Sequence, residues 1–222
     1  MSHHFLRELS NLNQDLLGLG GLVEEQVRHA LKAVNDNDIE LAQTVIDTDS
    51  KIDDLEVQIE EECLKILALH QPVARDLRYI VAVLKINNDL ERIGDLAVNI
   101  SKRARLFDKE PGFEIPDNFE RMAELTLRLL KKILDALVRY DLNAAKEVCV
   151  EDDPIDELNA EIYQHVKHTI NTETPYRKSL IHLLTVSRHL ERIGDHVTNI
   201  AEDIVYMMEG TIVRHGGVDA PE

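Results

Sequence analysis

The sequence predicts an all-α protein: two tandem antiparallel three-helix bundles related by internal duplication, six helices in all. Three observations carry that reading. First, Glu91-Arg92-Ile93-Gly94-Asp95 returns unchanged as Glu191-Arg192-Ile193-Gly194-Asp195, followed at the same offset by Asn99 and Asn199 and by Ile100 and Ile200. A recurring segment of this kind means that one helical unit was duplicated. Second, earlier stretches also correspond: Asp38-Ile39-Glu40-Leu41-Ala42 with Asp141-Leu142-Asn143-Ala144-Ala145, Ile52-Asp53-Asp54-Leu55 with Ile155-Asp156-Glu157-Leu158, and Pro72 with Pro175. Third, helix formers dominate, while 9 Gly, 6 Pro and 4% aromatic residues leave little material for strands and tight turns. The predicted boundaries are 1–110 for the first three-helix repeat, 111–212 for the second, and 213–222 for a flexible tail.

The first helix covers roughly residues 5–35. Gly18, Gly20 and Gly21 predict a kink or loose turn inside it; they form no phosphate loop, because no strand precedes them and no Gly-Lys-Ser/Thr follows. Asp38 is placed to cap a second helix that runs to about His70. Gln71-Pro72 ends it, since the residue before proline avoids the α region. The third segment runs from about Val73 to Phe107. A linker from Asp108 to Pro116 follows, marked by Pro111, Gly112 and Pro116. Asp117 with Glu120 reads as a capping box for the fourth helix. Asp141 is placed to cap a fifth, Thr174-Pro175 separates it from the sixth, and the sixth ends near Gly210. Gly216-Gly217 mark the tail. Short connections make successive helices antiparallel neighbours.

The formal charge of −17 excludes a binder of phosphate backbones and suits cations or a basic partner. Cys63 and Cys149 stand far apart with no CxxC pattern and read as reduced, buried thiols of a cytosolic protein. No leader segment is expected, and no apolar run approaches the ~20 residues needed to span a bilayer. Contact with a membrane would then be peripheral.

The polar pattern is more specific. At 100° per residue, Leu183, Val186, Leu190, Ile193, Val197, Ala201 and Ile204 form an apolar seam on the sixth helix. Glu191, Asp195, Asn199 and Glu202 form a second stripe beside it. The third helix repeats the stripe with Glu91, Asp95 and Asn99, then has Lys102 where the second half has Glu202. The second helix carries Asp49, Asp53, Glu56 and Glu60; the fifth carries Asp152 and Asp156, then Asn159 and Tyr163. If these helices are neighbours, the carboxylate pairs face one another. Two carboxylates ~6 Å apart repel by about 0.7 kcal/mol in water and about 3 kcal/mol at an effective dielectric of 20. Such a groove needs water, protons, arginines or a cation. Arg92 and Arg192 are near enough to help, and magnesium, manganese or iron suits an all-oxygen set. The plainer reading is a solvated acidic face.

His182, His189 and His196 form a heptad-spaced stripe roughly opposite Glu191 and Asp195, which predicts surface or interface residues. Gly94 and Gly194 sit inside helices, where glycine costs about 0.5–1 kcal/mol relative to alanine. Close approach of a neighbouring helix explains them, as would room for a bound cluster.

Together these motifs resemble the PhoU family of bacterial phosphate-signalling regulators. Asp49–Leu55, Gln71–Leu77 continuing to Leu90–Asn99, and Leu190–Gly210 carry the resemblance, which extends over nearly the whole chain. It implies a PhoU-like pair of three-helix bundles with multinuclear iron or other metal clusters, zinc, manganese and magnesium included. By motif, the ligands would be Asp49, Asp53, Glu91 and Asp95 in the first half, and Asp152, Asp156, Glu191 and Asp195 in the second. Glu56, Glu60, Asn99, Asn199 and Glu202 are candidates to extend them. The resemblance further implies a non-enzymatic, cytoplasmic, commonly dimeric repressor of the Pho regulon in ample phosphate. Its partners would be PstB, the ATPase subunit of the Pst transporter, and the sensor kinase PhoR. With the acidic charge, no nucleic-acid partner is expected, and with no spanning segment, membrane association only through those proteins.

Two departures bear on that expectation. Lys102 and Arg103 stand where an acidic residue often follows the first Asn, which predicts weaker metal binding in the first half. Asp153-Pro154 interrupts the Asp152/Asp156 pair and predicts a kink there, unless Asp153 caps a fresh helix start. A ferritin-like di-iron oxidoreductase would need Glu-x-x-His motifs, and none of the 10 histidines follows a glutamate by three residues. A metal-free helical scaffold is the remaining alternative.

Overall fold

The computed structural model describes residues 3–106, 113–151, 153–172 and 175–211. Seven helices account for nearly all of them: α1 His3–Asp36, α2 Ile39–His70, α3 Ala74–Ala104, α4 Asp117–Arg139, α5 Leu142–Val148, α6 Asp153–Ile170 and α7 Arg177–Glu209. α1, α2 and α3 pack together as one bundle, and α4, the α5–α6 pair and α7 as a second. The all-α, duplicated architecture predicted from the sequence is the one observed. Asp108 to Gly112 of the expected linker, Thr174, and the tail from 213 with Gly216 and Gly217 lie outside the described residues.

The duplication reaches into the turns. Asn37 and Tyr140 both adopt left-handed backbone, with φ 53° and 52°. The next residue, Asp38 or Asp141, is an N-cap whose carboxylate accepts from the backbone N–H of Leu41 (2.9 Å) or Ala144 (3.1 Å). Each cap thereby satisfies an N–H that a helix start leaves unpaired.

The expected capping box at the start of α4 is not there. Pro116 occupies the cap position and Asp117 is the first helical residue. The Pro116 carbonyl accepts from Phe119 and Glu120 N–H, so the turn closes without a side chain. The predicted fifth helix is in two pieces, α5 and α6. Between them Val150 and Glu151 donate only to carbonyls three residues back, and Pro154, which has no N–H to give, lies in the first turn of α6. The interruption is therefore a fresh helix start at Asp153, not a kinked continuation. α1 runs unbroken through its glycines. A Cβ on Gly20 would lie 2.8 Å from Leu134 Cδ2 of α4, so this glycine serves close packing between the halves.

α3 and α7 lie at the centre, packed on each other and on the outer helices of their own halves. They run antiparallel: Lys85 pairs with Asp203, Asp89 with His196, and Arg103 acts on His182 and His189. The predicted histidine stripe is thus the seam between the halves. Large side chains on α3, among them Ile80, Ile86, Leu90, Ile93 and Ile100, are fully buried. Each such burial stabilises by about 1.5–3 kcal/mol before conformational entropy is counted. α2, on the outside, buries a narrower stripe of Val45, Ile52, Ile59, Cys63 and Ile66. Neither Cys63 nor Cys149 is in a disulfide; Cys149 is half-buried rather than buried, and burial pushes the Cys63 thiol up to about 12.

Candidate metal centre

The acidic stripes sit beside the α2–α3 and α6–α7 contacts because glycine brings those helices close. A Cβ on Gly94 would lie 3.2 Å from Ile52 Cδ1, and one on Gly194 3.2 Å from Ile155 Cδ1. Ile52 is flanked in sequence by Asp49 and Asp53, and Gly94 by Glu91 and Asp95. Pressing Ile52 onto Gly94 therefore turns these carboxylates toward one another across the groove. The same logic joins Asp156 to Glu191 and Asp195 through Ile155 and Gly194.

The electrostatics match that placement. Burial, then Asp53 and Asp95, raise the Asp49 carboxyl above its ordinary range, while Lys102 opposes them. Burial, then Asp95, raise Glu91, with smaller contributions from Asp53 and Glu56; Arg92 works against them. Burial, then Glu60 and Asp53, raise Glu56. In the second half, burial, Asp195 and Asp156 raise Glu191, with Arg188 and Arg192 opposing. Each helix pair thus brings like charges together closely enough to resist ionisation. Arg92 bridges part of this charge, with Nε 3.4 Å from Glu91 Oε2 and Nη1 3.7 Å from Asp95 Oδ2.

Seven of the eight motif carboxylates thus fall in two such groups, and Asp152, the eighth, lies outside the described residues. Glu56 and Glu60 extend the first group along α2. Asn99 is half-buried on α3. Asn199 and Glu202 go elsewhere: with Lys85, Asp89 and Asp203 they line a groove between α3 and α7, and Asn199 Nδ2 lies 3.4 Å from Asp89 Oδ1. Lys102 faces the first group, whereas Arg103 faces His182 and His189.

The donor set is all oxygen, which suits a hard cation. Among the described residues, no three His, Cys, Asp or Glu side chains already surround one point. Glu91 Oε2 is buried without a hydrogen-bond partner. A buried carboxylate oxygen with no hydrogen bond, met only by the longer Arg92 ion pair at 3.4 Å, fits a cation that keeps part of its water shell.

Sequence reasoning missed Asn87. It is 1% exposed and donates through Nδ2 to the Glu56 carbonyl (2.9 Å) and to Glu56 Oε1 (3.3 Å). Its signal was available: a polar residue one turn before Glu91, between the buried Val83 and Leu90. The corresponding contact in the second half joins Ser187 Oγ to Asn159 Oδ1 (2.9 Å).

The PhoU domain matches twice, over residues 16–104 and 119–204. The chain belongs to the PhoU family. Each match spans one bundle, so the PhoU repeats coincide with the observed duplication. The chain is 37% identical to the phosphate-specific transport system accessory protein PhoU of Serratia marcescens, over 100% of this chain and 91% of that protein. It is 38% identical to the PhoU homolog of Aquifex aeolicus, covering 94% and 95%. Among solved structures, PhoU from Pseudomonas aeruginosa superposes with a TM-score of 0.88 at 36% identity, covering 93% of this chain and 100% of that one. The phosphate transport system regulatory protein PhoU from Streptococcus pneumoniae gives 0.87 at 30% identity, covering 95% and 100%.

Proposed function

We propose that this chain is a non-enzymatic accessory protein of a phosphate-specific transport system, and that it represses the phosphate-starvation response when phosphate is ample. The observation that carries this reading is the end-to-end similarity to the Serratia marcescens accessory protein. The Streptococcus pneumoniae neighbour, named as a regulatory protein of phosphate transport, supports it. In this reading the protein works in the cytoplasm, commonly as a homodimer, between the transporter ATPase PstB and the sensor kinase PhoR. No helix among the described residues is long and apolar enough to cross a membrane, which is consistent with action on membrane partners in trans.

Metal ions belong to the same proposal. Asp49, Asp53, Glu91 and Asp95 would hold them in the first half; Asp152, Asp156, Glu191 and Asp195 in the second. A bound cation neutralises the carboxylates and fixes α2 against α3, or α6 against α7. The protein residues do the rest: Ile52 and Ile155 set the separation of the helices, and Arg92 and Arg192 balance charge at the rim.

The test is a phosphate-repressed reporter, such as alkaline phosphatase, in the native host grown in ample phosphate. Deleting the gene is expected to raise reporter activity, and the intact chain to restore repression. Repression that survives deletion would overturn the proposed role. Replacing Asp53, Asp95, Asp156 and Asp195 with alanine is expected to abolish complementation; full complementation would remove metal from the mechanism.

A further inference from the structure

The two ends of the α3–α7 seam carry opposite charge, although the duplication makes them counterparts. At one end, Lys85 and Asp89 of α3 and Glu202 and Asp203 of α7 line a groove, and Lys85 pairs with Asp203. A shift of 100 positions leads to the other end: Thr185 and His189 on α7, Lys102 and Arg103 on α3. Arg188 likewise takes the place of Asn88. Three carboxylates and one lysine are thus exchanged for three cationic side chains and no carboxylate.

The register of the seam brings these groups together. Because Lys85 lies against Asp203, Thr185 lies level with Arg103. Arg103 acts on His182 and His189, which bracket Thr185 along α7. Thr185 carries no charge to answer it, and its Oγ1 already donates to the Ile181 carbonyl. Among the described residues, neither the Arg103 nor the Arg188 guanidinium makes a hydrogen bond or a close ion pair. Arg192, one turn beyond Arg188, also lacks the close contacts that tie Arg92 to Glu91 and Asp95. Arg188 and Arg192 act on Glu191, but that carboxylate belongs with Asp156 on the α6 side. Burial, then Arg192, Arg103 and Arg188, hold the His189 ring below its ordinary value, so it is neutral at neutral pH. Three guanidiniums therefore surround one uncharged imidazole from two helices.

We propose that Arg103, Arg188, His189 and Arg192 form a site for one phosphate-type oxyanion at this end of the seam. The planar fork of a guanidinium matches two oxygens of a phosphate group. A neutral imidazole offers one N–H and one acceptor nitrogen. Hydrogen phosphate has an O–H to give as well as oxygens to accept, whereas sulfate only accepts. A chain of formal charge −17 repels extended polyanions, but a local cluster of arginines holds a single dianion. The anion would bridge the two repeats, since Arg103 stands on α3 and the other three residues on α7. The site needs no bound metal and does not depend on the proposed repressor role. Its ligand is either free phosphate or a phosphorylated side chain.

The test is equilibrium dialysis of the full-length chain, stripped of metal with EDTA, against radiolabelled inorganic phosphate at neutral pH. The parent is expected to bind one equivalent. Arg103→Gln and Arg188→Gln should each weaken binding at least tenfold. Thr185→Asp gives Arg103 a carboxylate of its own and should abolish binding, while Lys85→Gln at the opposite end should leave it unchanged. If Arg103→Gln unfolds the chain by circular dichroism, Thr185→Asp decides, because it adds an ion pair and removes none. A phosphoserine peptide that binds the parent but not Thr185→Asp, where inorganic phosphate does not bind, would identify the ligand as a phosphorylated side chain. Sulfate bound as tightly as phosphate would overturn the assignment to phosphate. Binding of neither probe, or equal binding by the parent, Arg103→Gln, Arg188→Gln and Thr185→Asp, would overturn the site and leave the repressor role to its own reporter test.

Discussion

His196 of α7 holds its Nδ1 2.8 Å from Asp89 Oδ1 of α3, and this contact crosses the seam between the two PhoU repeats. Both side chains are mostly shielded, at 19% and 14% exposure. Removing one partner strands the other in a half-buried polar site. Asp89→Leu or His196→Leu should lower stability by about 1–3 kcal/mol, measured by urea unfolding. A double-mutant cycle should recover part of the loss when both are replaced. Additive losses would show that the contact contributes no coupling.

The helix-packing glycines give a second prediction. Gly94→Ala places a methyl 3.2 Å from Ile52 Cδ1, so α2 must shift or Ile52 must change rotamer. Overpacking of this kind costs about 1–3 kcal/mol and outweighs the helix propensity gained. Ile52→Val removes the crowding atom and should rescue Gly94→Ala in thermal melts. Ile155→Val should do the same for Gly194→Ala. A pair that melts no higher than its glycine variant alone would show that space is not what these glycines provide.

A third prediction concerns pH. Burial and Asp95 raise Glu91; burial, Asp195 and Asp156 raise Glu191. A carboxyl whose folded pKa lies above its unfolded value stabilises the fold below the unfolded pKa, and that contribution is lost as pH rises through the folded pKa. Near neutral pH, without added cation, both glutamates therefore destabilise the fold. Glu91→Gln and Glu191→Gln should melt higher than the parent there, and the gap should close as pH falls through the carboxylate range. Added Mn2+ should raise the melting temperature of the parent more than that of either variant, because a ligand of the folded state alone stabilises it.

The duplicated turns supply a fourth. Asp38 and Asp141 cap α2 and α5 in the same way. Asp38→Ala and Asp141→Ala should each cost about 1 kcal/mol in chemical unfolding, and the distant pair should be additive. The Asp141 change should be felt near α5 in hydrogen exchange, since that helix has only 7 residues.

Much of this molecule was legible because duplication writes the same message twice. Helix placement, Asp38 and Asp141 as caps, and the facing of Glu91 and Asp95 toward Asp49 and Asp53 all follow from spacing and period. The start of α4 was misread because Asp117 is a good cap by type, yet the Pro116 carbonyl closes that turn. Asp153-Pro154 marked the interruption after Cys149, but Asp141 to Ile170 keeps helical composition, so the sequence left a kink and a fresh start at Asp153 as alternatives; the fresh start is the one observed. Asn87 escaped notice because polar residues within an apolar stripe become informative only when a partner is known. The pairing of α3 with α7 was not legible at all: an apolar stripe shows that a helix face is covered, not which helix covers it.

That antiparallel pairing has a consequence for how the protein could have arisen. When two copies of one unit meet through the same helix running in opposite directions, the contact has the form of a self-complementary dimer interface. α3 and α7 meet in this way inside a single chain. A true symmetric dimer must change both copies at once whenever its gene changes. Fusion of the copies removes that constraint, so Arg103 can stand opposite in charge to its counterpart Asp203, and Glu56 can differ from Asn159. The two repeats can keep one fold while their polar faces diverge.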